Sequence, residues 1–371
     1  MDFLDVARNV RRNRIAKGFS QRKLAGSAGI SELSVKNIES AKVEARIKTL
    51  QSIAKALGVK LNELFIPVKE LQTVRFRSTK NMRKRENILA KAARWLEDFN
   101  YLEDVLGRKN TFHLEAIRDF CSRDEPAEAA RICRERLNLD SKEPIHDICG
   151  LLEKAGVKVL ALPLASDGFF GLSIGQEDGG PAIIVNDEDR ITPERRIFSA
   201  AHELGHLMLH PEAFNVKETL EDKEQEHQAD CFAGYFLMSD VGFINEWDEA
   251  SGLHWVDRIL KVKGIFRVSY KTVLKRLIDL GKIDDTIWPK FNSAYCSRYG
   301  KRLLFREEPN GFGDGNEPFR LAPFVFFEDR FKRLVREAVE KDKISLSRGA
   351  EMLGMPILEM RELIQSWEIV A

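Results

Sequence analysis

The stretch Thr192-Pro193-Glu194-Arg195-Arg196-Ile197-Phe198-Ser199-Ala200-Ala201-His202-Glu203-Leu204-Gly205-His206 decides how the middle of this chain is read. It opens as a helix should: Thr192 can cap, Pro193 has no N–H to lose in the first turn, and Glu194 puts acid at the positive end of the dipole. Residues four apart differ by about 40° around a helix, so His202 and His206 present their imidazoles to one point, as a tetrahedral ion requires. Glu203, displaced by about 100°, is badly placed to ligate with them but can reach a water activated by the metal. An accidental H-E-x-x-H in such a chain has a probability on the order of one in a hundred. A helix with two incidental histidines is the competing reading, and a third ligand separates the two.

Further on the chain reads Glu226-His227-Gln228-Ala229-Asp230-Cys231-Phe232-Ala233, with Ala229, Phe232, Ala233, Phe236 and Leu237 at helical spacing. Glu226 and Asp230 fall on the Ala229/Ala233 side of that helix. Carboxylates on a buried edge need compensation, which two imidazoles and a dication supply. Glu226 therefore reads as the third ligand, and Asp230 as the acceptor that fixes one histidine's tautomer. The competing reading makes Glu226 one more solvated member of the acidic run Glu218 to Glu226. His227 points about 100° away and, with His210, reads as a bystander. Small residues Ala201, Gly205, Ala229, Ala233 and Gly234 should let the two helices approach closely.

Upstream, Pro144 opens an expected helix that ends at Gly156, and three β-like runs follow: Val157 to Leu162, Phe170 to Gly175, and Pro181 to Asn186. Gln176 to Gly180 is a hairpin signal between the last two. These predict a small antiparallel sheet, with Pro181 to Asn186 as an edge strand free to pair with an extended substrate.

Chain-wide composition fits this mixture. A length of 371 residues favours two or three domains, and 43% hydrophobic with 32% charged residues excludes disorder. No apolar run spans a bilayer and the N-terminus lacks a signal-peptide core, which predicts a cytoplasmic protein that does not enter a membrane. Five scattered cysteines, never paired as C-x-x-C, argue against a disulfide framework or a thiolate metal site. Net charge is only +1, yet residues 1–66 hold thirteen Lys or Arg against six Asp or Glu, which points to nucleic acid at that end.

Within that basic segment Ser20 can cap a helix through Leu24 and Ala25, Gly29 can turn the chain, and Ser31 can cap a second helix containing Val35 and Ile38. Phe19-Ser20-Gln21-Arg22-Lys23-Leu24-Ala25, Gly29-Ile30-Ser31, Ile38-Glu39 and Leu50 to Gly58 resemble the XRE, lambda-repressor-like family. The resemblance implies that the second helix enters the major groove of a double-stranded DNA operator, with Glu32, Leu33 and Asn37 reading bases. Gln21, Ser34, Lys36 and Lys42 would assist on bases or phosphates. Ala41 stands where that family usually has glycine. The basic run from Arg75 through Arg83-Lys84-Arg85 could extend the phosphate footprint or be a solvated linker.

Ile183-Ile184-Val185-Asn186, Arg195 to Phe198, Ala201 to Leu207, His210-Pro211 and Ala229 to Ala233 resemble the ImmA/IrrE metallopeptidases. Arg75-Phe76-Arg77-Ser78, together with Val268-Ser269-Tyr270 and Leu274, Arg276 and Leu277, is similar to longer members fused to an XRE domain. Gln228 replaces a common glutamate and Ser239 a common proline. The resemblance implies a zincin-like fold, Zn2+ held by His202, His206 and Glu226, and Glu203 as the catalytic base. It also implies a helix-turn-helix repressor, or the chain itself, as protein substrate in a stress or mobile-element response. His254 and Tyr270 are the candidates for stabilising the oxyanion.

The expected organisation is multidomain and mainly α with a small α+β part. It comprises a helix-turn-helix domain over 1–66, a helical connector over 67–140, a zincin-like domain over 141–285 and a helical region over 286–371. A second helix-turn-helix-like pair falls at 343–367. A homodimer is allowed for. The alternative function is a non-enzymatic regulator or antitoxin-like protein whose zinc domain senses a ligand or mediates dimerisation.

Overall fold

The computed structural model describes residues 3–67, 70–76, 85–163, 169–215, 217, 222–303 and 317–368. Several positions singled out above (Arg77, Ser78, Arg83, Lys84, Glu218 and Glu221) lie outside them. The chain divides into two compact units, one of Met1–Leu71 with Asn81–Glu97, the other of Gln72–Lys80 with Asp98–Ala371.

In the first unit α1 (Phe3–Ala16), α2 (Gln21–Ala28), α3 (Glu32–Glu39) and α4 (Ile47–Leu57) close over Val6, Val10, Leu24, Val35, Ile38, Leu50, Ile53 and Leu64. The caps are those the sequence implies. Ser20 accepts the Lys23 N–H at 3.1 Å, and Ser31 accepts that of Ser34 at 3.0 Å. Gly29 between them takes φ +67°. Ala41, the residue in the glycine's place after α3, is itself left-handed at φ 53°. The fold thus keeps the turn and bears the Cβ strain. Ala41→Gly relieves that strain at the cost of a looser unfolded chain, so a net gain of about 0.5–1 kcal/mol is expected in urea unfolding of this unit.

The second unit carries a sheet among helices. Its strands are β1 (Val74–Arg75), β2 (Lys158–Leu162), β3 (Gly171–Ile174) and β4 (Ala182–Asn186). Helix α5 (Arg85–Leu106) is divided between the units, and α6 (Pro126–Arg136) and α7 (Ile148–Lys154) precede β2. Helix α7 starts at Ile148, later than Pro144, because Asp147 caps it by accepting the Gly150 N–H at 2.8 Å.

Sheet order is β1-β3-β4-β2, with β1/β3 and β3/β4 antiparallel and β2/β4 parallel. It is therefore mixed, not wholly antiparallel. It also overturns the edge role of Pro181 to Asn186: β4 is central, paired on both sides and buried along its whole length. The edges are β1 and β2.

Across the sheet lies α8 (Pro193–Leu209), and α9 (Lys223–Leu237) packs on α8 and α6, followed by α10 (Asp240–Glu249), α11 (Trp255–Phe266), α12 (Tyr270–Asp279) and α13 (Ile287–Tyr299). Helices α8 and α9 pack closely because Gly205 has no side chain. A Cβ there would stand 3.1 Å from Phe232 Cδ1 and 3.3 Å from Ala229 Cα. Ala201, Ala229 and Ala233 are buried in the same seam. Gly234 lies outside it: a Cβ at that position would meet nothing within 4 Å, and the residue borders a cavity instead. Ser239, in the common proline's place, caps α10 by accepting the Gly242 N–H at 3.2 Å.

A buried ionic group secures the start of α8. Lys263 Nζ lies 2.8 Å from Glu194 and 3.0 Å from Glu317, all three groups being almost wholly enclosed. The C-terminal helices are α14 (Arg330–Glu340), α15 (Leu346–Met352) and α16 (Ile357–Glu368). Helices α15 and α16 form the expected pair around Gly354, and over 343–367 Lys343, Arg348 and Arg361 are balanced by Glu351, Glu359 and Glu362.

Among the described residues no helix is long and apolar enough to cross a membrane. All five cysteines are free, Cys133 and Cys149 buried and Cys121, Cys231 and Cys296 half-buried.

Candidate metal centre

Helix α8 turns His202 and His206 to one side, and α9 brings Glu226 against them. Donor atoms of the three lie within 4.8 Å of one another, the one such group found among the described residues. The two Nε2 atoms are 3.0 Å apart. Glu226 Oε2 is 3.2 Å from His202 Nε2, and Oε1 is 3.6 Å from His206 Nε2. Tetrahedral ligands at about 2.1 Å from an ion are about 3.4 Å from each other, so these separations fit a shared metal.

The outer partners of both imidazoles set the tautomers. Asp230 Oδ1 accepts from His202 Nδ1 at 2.8 Å, leaving the Nε2 lone pair for the metal position. The Asp230 side chain is about half exposed, less enclosed than its place on the helix suggests. His206 is wired through a residue read from sequence as a bystander. His206 Nδ1 lies 3.1 Å from His210 Nδ1, and His210 Nε2 lies 2.8 Å from Gln228 Oε1.

An amide oxygen can only accept, so His210 Nε2 carries the proton there, its Nδ1 accepts from His206, and His206 Nε2 is free to ligate. Gln228 in turn donates to Glu224 Oε1 at 3.3 Å. Gln228→Leu would orphan the buried His210 N–H, and metal affinity about 10–100-fold weaker is expected in a chelator competition. An unchanged affinity would remove this relay from the site.

Glu203 is buried and accepts a 2.7 Å hydrogen bond from the Ser173 hydroxyl on β3. Burial pushes its carboxyl up to about 7, against the pull of His202 and Ser173. Gly171 makes room for it, since a Cβ there would be 3.0 Å from Glu203 Oε1. Burial works against a proton on His202, yet Asp230 and Glu226 outweigh it and raise the ring to about 10. His206 is held well below its usual value by burial and by His202. Two imidazole Nε2 atoms 3.0 Å apart can share at most one proton, which a metal at this position would displace.

Two partners escaped the sequence reading. Arg75 on β1 donates from its guanidinium to Glu226 Oε1 at 2.7 Å and to Gln225 Oε1 at 2.6 Å. Ser173 is its cross-strand neighbour in register. Cross-strand pairs project to the same face, so one step of the ladder reaches both Glu226 and Glu203.

The oxyanion candidates fare less well. His254 is spent capping α11, accepting the Val256 N–H at 3.3 Å, and the Tyr270 ring is stacked on Phe291 at 5.0 Å. Tyr270 does border a cavity of about 890 Å³ that Phe198, His227, Asp230, Tyr235 and Trp288 also line.

In the first unit, Glu32, Lys36 and Lys42 are exposed, and Leu33 is 65% exposed at the start of α3. Ser34 and Asn37 are half-buried, the Ser34 hydroxyl lying 2.7 Å from that of Ser31. Gln21 points elsewhere: it donates to Glu39 Oε2 at 2.8 Å, where Arg14 also bonds.

Comparison with known proteins gives two family matches. Residues 152–278 match the Peptidase_M78 family, described as an IrrE N-terminal-like domain, and residues 10–64 match the HTH_3 helix-turn-helix family. The chain thus joins an XRE-type helix-turn-helix to an IrrE/ImmA-like peptidase segment. No curated protein matches it significantly. Among solved structures it aligns with ComR from Streptococcus suis at 11% identity, over 100% of this chain and 96% of that one. The TM-score of that alignment is 0.17, and it carries no argument.

Proposed function

We propose that this protein is a cytoplasmic, DNA-binding transcriptional regulator whose peptidase segment is a zinc-dependent endopeptidase that cuts a helix-turn-helix repressor or the chain itself. One observation supports this above the others: a buried carboxylate, Glu203, stands next to a converged His202, His206 and Glu226 donor set and is held by Ser173. A purely structural site has no use for a base beside an open coordination position. Two imidazoles and one carboxylate are a donor set suited to Zn2+. Zinc bound there would supply a Lewis acid that polarises the scissile carbonyl and acidifies water. Glu203 takes the water's proton and returns it to the leaving amine. Asp230 and His210 hold the two Nδ1 atoms, so that both rings would present Nε2 to the metal.

The helix-turn-helix brings this activity to an operator. Exposed Glu32, Leu33 and Lys36 with half-buried Asn37 are the proposed readers on α3, and Lys42 a phosphate contact. Gln21 ties the start of α2 to Glu39 at the end of α3. Asn37→Ala should cost about 1–3 kcal/mol at the base pair it reads, measured by operator titration at fixed salt, and little at other positions. An operator with two half-sites would call for a homodimer.

The decisive assay incubates the purified protein and zinc with the helix-turn-helix repressors encoded beside it. Cleavage of one of them, or of the chain itself, that a chelator abolishes is expected. If no candidate is cut, the non-enzymatic reading replaces this one, with the zinc segment as ligand sensor or dimer mediator.

A further inference from the structure

The segment Gln72–Phe76 is fastened to the sheet with more care than a connector needs. Asp178 Oδ2 accepts from the N–H groups of Gln72 and Thr73, each at 2.7 Å, and from the Thr73 hydroxyl at 3.0 Å. Gly175 N donates to Thr73 O at 2.7 Å. Val74 and Arg75 then pair with Ile174 and Ser173, and the Phe76 ring meets Phe169 edge-on at 5.1 Å. The product of this clasp is the position of one side chain. Arg75, 2% exposed, holds Glu226 Oε1 and Gln225 Oε1, so a cation from β1 grips the carboxylate that faces His202 and His206.

We infer that Arg75 is a positioning residue for the metal centre, delivered by a clasped linker strand that fixes the pose of Glu226. The inference rests on the reading of His202, His206 and Glu226 as metal ligands. A free glutamate must give up rotamer freedom to ligate; one already gripped at Oε1 has done so before the metal arrives, with Oε2 turned to His202. The charges agree with that role. With Glu203 ionised, Glu203, Glu226 and Asp230 bring three negative charges, which a dication and one guanidinium balance.

The opposing effect is repulsion between Arg75 and the ion. It is the weaker one, since the guanidinium faces the oxygen turned from His202 and the carboxylate stands between. In sequence, Gln72–Lys80 lies between the two segments of the helix-turn-helix unit. Metal retention therefore depends on a strand that this unit's own chain leads into and out of.

The test uses the full-length protein and Zn2+ in competition with a chromogenic chelator, with the visible spectrum of the Co2+ form as a second readout. Arg75→Met should bind zinc about 10–100-fold more weakly and shift the Co2+ bands, and Arg75→Lys should recover part of both. Asp178→Ala, which reaches Glu226 only through the strand, should lose affinity in the same direction. Should Arg75→Met misfold, Arg75→Lys and Asp178→Ala still decide. Glu226→Ala is the control. If Glu226→Ala retains wild-type affinity, the ligand reading itself fails. If Glu226→Ala loses zinc while the Arg75 and Asp178 variants keep wild-type affinity and spectrum, the inference is overturned.

Discussion

Glu203→Gln is expected to keep its metal and lose about 10²–10⁴-fold in cleavage rate, the range that general acid–base catalysis contributes. The substitution isolates the chemistry because the site tolerates it. Glutamine has the same shape, its amide oxygen can accept the Ser173 hydroxyl as Oε2 does now at 2.7 Å, and the Gly171 space is unchanged. Replacing a buried carboxylate by a neutral amide also removes a desolvation cost, so the variant should be no less stable than the parent. What is lost is the lone pair that takes a proton. Metal content by atomic absorption should stay stoichiometric while turnover falls. Ser173→Ala should have a much smaller effect, since it frees Glu203 without removing it. Cleavage by Glu203→Gln at the parent rate would show that another group is the base.

The site's two halves differ in how far they can be read from sequence. His202 and His206 are visible because a helix turns a spacing of four into a common direction, and Ser20, Gly29 and Ser31 because caps and turns are local chemistry. Glu226 is legible for a related reason: α9 is amphipathic and the carboxylate lies on its packed edge.

Arg75 is not, since it lies 151 residues from Glu226 and sits on a two-residue strand with no period to detect. His210 is hidden differently. It stands four residues after His206 at the C-cap of α8, the spacing that pairs His202 with His206, but its position just past the helix and the partner Gln228, which lies on α9, conceal the relay.

The misplacement of β4 had a signal that could have prevented it. Ala182-Ile183-Ile184-Val185 is continuously apolar instead of alternating, as a strand covered on both faces should be, and that pattern speaks for a central position.

Glu226→Ala should have two separable consequences, and their separation tests the electrostatics of the centre. The first is loss of stoichiometric metal, because two imidazoles alone leave a dication short of protein donors. The second appears even without metal. Removing the carboxylate leaves the Arg75 guanidinium buried beside Gln225 with a main counter-charge gone, and breaking such a pair costs about 3–5 kcal/mol when both partners are enclosed. Glu226 is 29% exposed and Arg75 is 2% exposed, so water can reach one end and the low end of that range, about 3 kcal/mol, is expected in urea unfolding of the metal-free protein. The double variant Arg75→Met with Glu226→Ala should then be more stable than Glu226→Ala alone, since it removes a buried cation that has lost the Glu226 carboxylate, while binding metal no better. If instead the two losses add, Arg75 and Glu226 contribute independently, and the ion pair would be a bystander to the stability of this centre.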